Sequence, residues 1–281
     1  MSAEAVAEEQ IIRPRKGLVE LQLGELWRYR ELFGFLAWRD ILIRYKQTYL
    51  GVAWAILQPV LTVAVFTVVF GRFAKMPSNG APYEILVLAG LLPWQFFQNA
   101  ITESSSSLVV SARIISKVYF PRLIIPLSAV VSGLLDAVIS VGLLLVLMPI
   151  YKTPYRPQLL LLPVFFGLAF LAACAAGIWF SALNVRYRDV RYIVPFIARL
   201  GMYVSPVGYL WHNRSMPEFW RFLFGMNPIA GVIDGFRWCI LSQNEGIYWP
   251  GFIAGNLLTV LLIFGGLFYF RNTERTFADL V

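Results

Sequence analysis

Long apolar stretches separated by short polar segments fill most of the chain after residue 50. A helix needs about 20 predominantly apolar residues to cross a bilayer. This pattern predicts an all-α integral membrane protein, with a six-span domain over residues 51–275 and a short end at 276–281. Gly90 and Pro93 lie inside the second stretch and predict a kink or break there. The six stretches run at 51–71, 84–103, 122–149, 159–183, 192–211 and 250–270.

The segment before the first span has a different pattern. An apolar stripe at helical spacing is formed by Trp38, Ile41, Leu42 and Tyr45. Charged residues lie off that stripe, at Arg39, Asp40, Arg44 and Lys46. Such a helix suits the surface of a bilayer, with rings below and cations above. We therefore predict an amphipathic interface helix over residues 25–50, after a polar tail at 1–24.

The connection between the fifth and sixth stretches is neither a loop nor a span. Residues 216–225 and 229–242 are apolar and aromatic, but each piece is too short to cross a membrane. The pair Asn227-Pro228 between them is a helix-start or turn signal. The pattern predicts two short helices that lie in the outer leaflet or re-enter it.

Two stripes inside the spans predict helix packing. Small residues recur every four positions at Ala169, Ala173, Gly177 and Ser181, which lets helix backbones approach closely. A polar stripe follows the same spacing at Ser128, Ser132, Asp136 and Ser140. An acid in hydrocarbon should face the bundle interior, water or a cation, for which Arg199 is one conceivable partner. The polar stripe either lines a path or forms hydrogen bonds between helices.

Composition and charge sharpen this description. Hydrophobic residues make up 58% of the chain and charged residues 14%, and the net charge is +8. The cations lie at the ends of apolar runs, which favours anionic lipids over nucleic acid as partners. With the amino terminus inside, sixteen Lys and Arg fall in cytoplasmic segments and seven outside. This bias predicts that both termini are cytoplasmic.

The sequence carries no recognisable catalytic chemistry. It lacks the phosphate-binding loop of ATPases, so ATP-driven work would need a second polypeptide. Cys174 and Cys239 lie in apolar runs without metal-ligand spacing, and His212 is the only histidine. We expect no catalytic, cofactor or metal site in this chain. The scattered acids also argue against a secondary transporter.

The order of parts and several motifs together resemble the type-2 ABC exporter permeases, and within them the Wzm-like permeases that export O-antigen and related polysaccharides. The resemblance covers residues from about 25 to 275. The matching motifs are Arg39-Asp40-Ile-Leu-Ile-Arg44-Tyr45-Lys46, Leu50-Gly51 with Trp54, Leu57-Gln58-Pro59, Gly90-Leu-Leu-Pro-Trp-Gln-Phe-Phe97, Lys117-Val-Tyr-Phe-Pro121, Asn184-Val-Arg-Tyr-Arg-Asp189, and Asn227-Pro228 with Arg237.

This resemblance implies a homodimer in the bacterial inner membrane with two copies of a separate ABC ATPase, which binds ATP and Mg. The implied substrate is a polysaccharide on a polyprenyl diphosphate lipid. A coupling helix would contact the ATPase through Leu108, Val109, Ser111, Arg113 and Lys117. A second contact would use Arg188 and Asp189. For each segment, a role limited to setting topology stays open.

Substrate contacts are predicted at three levels of the membrane. The lipid headgroup would meet Arg39, Arg44, Lys46, Tyr49 and Trp54, although these cations suit positive-inside anchors equally. A glycan channel would be lined by Phe66, Phe70, Trp94, Phe97, Ser132, Asp136, Tyr203 and Tyr209, although rings also form interfacial belts. An outer gate would include Asn227, Pro228 and Arg237.

Other functions remain open at this point. Within the same superfamily the cargo could be teichoic acid, a capsule polymer, a drug or a smaller lipid. From another class, a membrane glycosyltransferase or polymerase would need catalytic acids near the headgroups. Asp136 is the only intramembrane aspartate, and Glu103 lies at a span end.

Overall fold

The computed structural model describes residues 23–46, 51–211, 216–241 and 246–274, and every regular element among them is a helix. A π-helical segment, Thr67–Phe73, continues α3, and a 3-10 helix, Pro157–Leu161, leads into α8. The α-helices are α1 (Leu23–Arg28), α2 (Arg30–Tyr45), α3 (Gly51–Phe66), α4 (Tyr83–Val110), α5 (Ala112–Ile115), α6 (Ile124–Ser132), α7 (Leu134–Ile150), α8 (Leu162–Arg186), α9 (Val190–Val204), α10 (Glu218–Gly225), α11 (Pro228–Ile240) and α12 (Trp249–Glu274).

Five helical stretches of the described residues are long and apolar enough to cross a membrane. They are Ala53–Phe73, Tyr83–Val110, Ile124–Ile150, Pro157–Arg186 and Trp249–Glu274, and they match five of the predicted spans. The other predicted span, 192–211, is divided between α9, which has 15 residues, and the non-helical segment 205–211. Pro206 explains the early end, because proline lacks an amide hydrogen and drives the preceding residue, Ser205, into an extended conformation.

Helix α4 lies at the centre of the bundle. In its most apolar stretch of 18 residues, 72% of the residues are buried within the chain. In the corresponding stretch of Ala53–Phe73, only 11% are buried. Consecutive residues such as Ile85, Leu86, Val87 and Leu88 are all buried, as expected for a helix that is apolar all round. The helix runs unbroken with Pro93 inside it, so the alternative of a break in this span is wrong.

The small-residue stripe of α8 packs against α4, which confirms the predicted role of that stripe. Ala169, Ala173 and Ser181 are fully buried. A Cβ atom on Gly177 would lie 2.5 Å from the Oγ of Ser104 on α4. Only glycine leaves room for the Ser104 side chain at this helix contact.

A second apolar cluster joins the amino-terminal helix to one end of the bundle, which we call the α2 end. Leu36 of α2 is packed with Leu108 of α4, Ile124 of α6 and Phe270 of α12. The Asn184 side chain donates a hydrogen bond of 2.8 Å to the carbonyl of Ser105. The ends of α4, α6, α8 and α12 therefore meet at the surface on which α2 lies.

Replacing Gly177 with Ala should destabilise the protein by about 1 to 3 kcal/mol, because the new methyl group overlaps Ser104. The matched control on the same helix is Gly167→Ala, where nothing lies within 4 Å of the added Cβ. That control should be neutral or slightly stabilising. Thermal unfolding of the detergent-purified protein measures both. Equal melting temperatures for the two variants would contradict this packing, and adding Ser104→Ala should partly restore Gly177→Ala.

Candidate functional site

A groove of about 420 Å³ opens between α2, α3, α4 and α7 near the α2 end. Its walls combine charged groups, carboxamides and aromatic rings. The lining residues are Arg44, Tyr45, Gly51, Trp54, Ala55, Gln58, Pro59, Leu92, Gln95, Phe96, Asn99, Glu103, Gly133, Asp136, Ala137 and Ser140. This mixture of a few polar groups on an apolar frame is typical of binding sites.

An ion cluster closes one end of the groove. The guanidinium of Arg44 on α2 donates to a carboxylate oxygen of Glu103 on α4 and to one of Asp136 on α7. The hydroxyl of Tyr45 donates to the other oxygen of Asp136. One cation thus ties the amino-terminal helix to two transmembrane helices. The side chains of Arg44, Glu103 and Asp136 are 25%, 38% and 23% exposed. The cluster therefore lies at the margin of the protein, where its surroundings partly screen the charges.

The electrostatics of α2 keep its two cluster residues protonated. Burial tends to lower the pKa of Arg44, but the charges and hydrogen bonds of Glu103 and Asp136 outweigh it and raise that pKa. Burial, followed by the hydrogen bond to Asp136, raises the pKa of Tyr45 as well. At neutral pH, Arg44 is therefore a cation and Tyr45 a hydrogen-bond donor.

The cluster corrects one expectation from the sequence. Asp136 pairs with Arg44, whereas Arg199, the conceived partner, is exposed on α9. The polar stripe also behaves differently from a row of bonds between helices. Ser128 and Ser132 donate to the carbonyls of Ile125 and Ala129 within their own helix.

The predicted headgroup residues have different surroundings. Arg39 donates to the adjacent Asp40 at 2.7 Å, and the charge of Arg44 is engaged in the cluster. Lys46 is exposed and forms no ion pair with the described residues. Trp54 borders the groove and is 51% exposed. Tyr49 lies outside the described residues.

Three carboxamides line the groove, and none of them was among the predicted substrate contacts. Gln58 belongs to α3, and Gln95 and Asn99 belong to α4. Spacing could have found the pair on α4, since Gln95, Asn99 and Glu103 recur every four residues and share one face of a helix. The contribution of α3 depends on how it packs, which no spacing reveals.

Most of the predicted channel rings pack between helices. Phe66 and Trp94 are only 6% and 4% exposed. The ring of Phe66 lies 5.2 Å from that of Phe70 and 6.5 Å from that of Tyr203, measured between centroids. Trp94 lies 5.7 Å from Phe97 and fits against Gly201, where a Cβ would be only 2.7 Å from the indole. Of the predicted channel residues, Asp136 is the one that borders this groove; Ser132 is buried.

The non-helical segment 205–211 is held by side chains from neighbouring helices. The buried Arg237 donates to the carbonyls of Val207 and Tyr209 at 2.8 and 2.9 Å. The hydroxyl of Tyr83 donates to the Gly208 carbonyl at 2.6 Å. These donors replace the hydrogen bonds that the helix would have supplied in an apolar environment.

The predicted gate residues lie at this same segment. The Asn227 side chain caps α11 by accepting from the amide of Ile229 and donates to Ser205 Oγ at 3.0 Å, and Pro228 is the first residue of that helix. Gly90 is the point of closest approach from α4, because a Cβ there would lie 2.9 Å from the Val207 carbonyl oxygen. The structure thus gathers Asn227, Pro228 and Arg237 at one end of the bundle, opposite α2.

The predicted coupling helix is shorter than expected. Helix α4 continues to Val110, and α5 has only four residues. Leu108 is fully buried and belongs to the core, so its placement on a docking surface is wrong. Val109 is partly buried and Ser111 is buried. The exposed residues of this region are Val110, Arg113, Ser116, Lys117, Val118 and Tyr119. Arg188 and Asp189 are exposed in the turn before α9.

Comparisons with known proteins agree with this architecture. Residues 31–241 match the family model of the ABC-2 type transporter. The chain is 27% identical over 246 residues to an O-antigen export system permease of Klebsiella pneumoniae, covering 86% of this chain and 92% of the relative. Its identity to the corresponding Myxococcus xanthus protein is 26%, with 92% and 98% covered. The polysialic acid transport protein KpsM of Escherichia coli is 22% identical, with 84% and 91% covered.

Replacing Arg44 with Gln should destabilise the protein, because two partly buried carboxylates lose their shared cation. The loss should be smaller than the about 3 to 5 kcal/mol seen for fully buried pairs, since these groups are partly exposed. Adding Glu103→Gln and Asp136→Asn should recover part of the stability by removing the unpaired charges. Melting temperatures in detergent measure this series, with Arg39→Gln as the control. A triple variant no more stable than Arg44→Gln alone would contradict the cluster.

Proposed function

Because the chain belongs to the ABC-2 type transporter family, we propose that it is the permease subunit of an ATP-driven exporter of a lipid-linked polysaccharide. The observation that carries the proposal is the similarity to O-antigen export permeases over nearly the whole of both chains. A further relative is named for transport of polysialic acid, which is also a polysaccharide. The five apolar helices of the described residues agree with a multi-pass membrane protein.

The charge distribution supports an orientation for the bundle. The Lys and Arg bias favours both termini in the cytoplasm, with the α2 end on that side. In this arrangement α9 and the segment 205–211 together make the fifth of the six crossings. The short helices α10 and α11 then lie at the outer leaflet, where exposed Phe219 and Trp220 suit the interface.

The cytoplasmic surface supports docking of a separate ATPase. Val110, Val118 and Tyr119 are 79%, 57% and 68% exposed beside the cations Arg113 and Lys117. Exposed apolar groups rimmed by charge are typical of protein interaction sites. We place the main ATPase contact here, and the second contact at Arg188 and Asp189, in a homodimer that binds two ATPase copies.

The ion cluster favours transport over polymer synthesis. Glu103 and Asp136 are the acids that a membrane glycosyltransferase would need, and both are bound by Arg44. Their geometry is that of a connection between helices. Teichoic acid, capsule and smaller lipid cargoes stay within the same mechanism and differ only in the transported molecule.

Deleting the gene in its host should abolish surface polysaccharide while finished, lipid-linked polymer accumulates inside the cell. Export stops because no path crosses the inner membrane, whereas synthesis continues on the cytoplasmic side. Fractionated membranes and immunoblots for the polymer measure both pools. The control is complementation with the intact gene. Loss of the polymer from both pools would support synthesis instead, and unchanged surface polymer would contradict the proposal.

The variant Arg113→Glu should reduce co-purification of the ATPase at least several-fold, because it reverses a charge on the proposed docking surface. The matched control is Lys152→Glu, an exposed cation at the opposite end of the bundle. Pull-down from mild detergent with a tag on this chain gives the stoichiometry. Equal recovery of the ATPase with both variants would place its contact elsewhere.

A further inference from the structure

The groove at the α2 end contains hydrogen-bonding groups that the chain itself does not use. The side chains of Gln58, Gln95 and Asn99 line it and make no hydrogen bond with any described residue. Gln58 is linked to Thr62 only through its backbone carbonyl. In a membrane protein, a polar side chain facing a cavity within a span indicates a ligand, water or a transported molecule. Each carboxamide offers two donor hydrogens and an acceptor oxygen.

The formal charge of the groove does not suit a diphosphate. One cation, Arg44, faces two carboxylates, Glu103 and Asp136, so the cluster carries a formal charge of −1. A phosphate group would have to compete with both carboxylates for the same guanidinium. Lys46, which is exposed at the end of α2, is a better position for a phosphate. The polar part of the groove therefore fits a neutral ligand that donates and accepts many hydrogen bonds.

An exposed aromatic ring completes the site. Trp54 lies one helical turn before Gln58 on α3, borders the groove and is 51% exposed. Phe96 also borders the groove, but its ring is only 4% exposed and packs on Phe166, so it supports the wall. Carboxamides and carboxylates beside a ring face match the two sides of a sugar, whose hydroxyls form paired hydrogen bonds and whose C–H groups pack on rings. Arg44 and Tyr45 fix the position of Asp136 through hydrogen bonds, so this wall of the groove is arranged before a ligand binds.

We infer that this groove is a saccharide-binding subsite, in which Gln58, Gln95 and Asn99 hold the hydroxyls of a sugar close to the lipid end of the transported polymer. The inference rests on the proposed function and assigns a part of its substrate to named residues. The phosphate groups lie outside the groove, toward the end of α2. Recognition of the sugar is thereby separated from recognition of the lipid link.

The test compares two lipids on the complete permease–ATPase complex in nanodiscs. One probe is polyprenyl diphosphate that carries the host glycan, and the other is bare polyprenyl diphosphate. Gln58→Leu, Gln95→Leu and Asn99→Leu each should weaken binding of the glycosylated lipid by about 3- to 10-fold, the effect of one lost hydrogen bond. Binding of the bare lipid should stay unchanged. The matched control is Gln98→Leu on α4, because Gln98 accepts from Trp94 and does not line the groove.

The outcomes separate the possible occupants. Unchanged affinity for the glycosylated lipid in all three variants overturns the inference, because the carboxamides would then bind only water. An equal loss for both lipids also overturns it, because the groove would then bind the headgroup. Gln58→Leu keeps the test valid if the α4 variants do not fold, since Gln58 is exposed on α3. Free glycan cleaved from its lipid should compete with the glycosylated lipid in the wild type and lose that ability in the variants.

Failure of the proposed function gives a different result from failure of this inference. If the wild-type complex binds neither lipid and gene deletion leaves export intact, the polysaccharide assignment fails. If the wild type binds the glycosylated lipid and the variants bind it equally well, only the subsite fails.

Discussion

The need to satisfy every polar group without bulk water shapes this bundle. Backbone groups exposed to hydrocarbon cost several kcal/mol each, so the segment 205–211 can leave the helical conformation only because Arg237 and Tyr83 reach its carbonyls. The same requirement places a cation between Glu103 and Asp136. Polar groups that the fold leaves unsatisfied, such as the carboxamides of the groove, then become informative about what the protein binds.

The two ends of the bundle solve this problem with different chemistry. At the α2 end, charged side chains from three helices form ion pairs with one another. The strength of these ion pairs depends on the ionisation of each partner. At the opposite end, Arg237 and Asn227 bind backbone and hydroxyl oxygens, so these contacts fix the path of the chain itself. The two ends are joined by α4, which is buried along most of its length.

The sequence predicted the helices well and the partners of side chains poorly. Apolar runs and small-residue spacing found the spans and the α8 stripe, because both are repeated along one helix. The helical part of the fifth predicted span was overestimated, since hydropathy cannot detect that Pro206 ends α9 while the residues beyond it stay largely apolar and are buried or partly buried. Leu108 was misplaced because it packs in one apolar cluster with residues of α2 and α6, and such tertiary contacts are not visible in the local sequence. The choice of Arg44 over Arg199 depends on tertiary distances that no local pattern contains.

The shallow packing of α3 has a consequence for the energetics of movement. In the most apolar stretch of Ala53–Phe73, which contains most of α3, only 11% of the residues are buried within the chain. Helix α3 also borders the groove along one face. A helix that buries little surface against its neighbours can shift without opening a cavity, which is the main cost of disturbing a packed core. Within the chain, the contacts that resist widening of the groove are thus those of the Arg44 cluster more than the packing of α3. Mechanical work delivered at the α2 end would act first on the least tightly packed wall of the site.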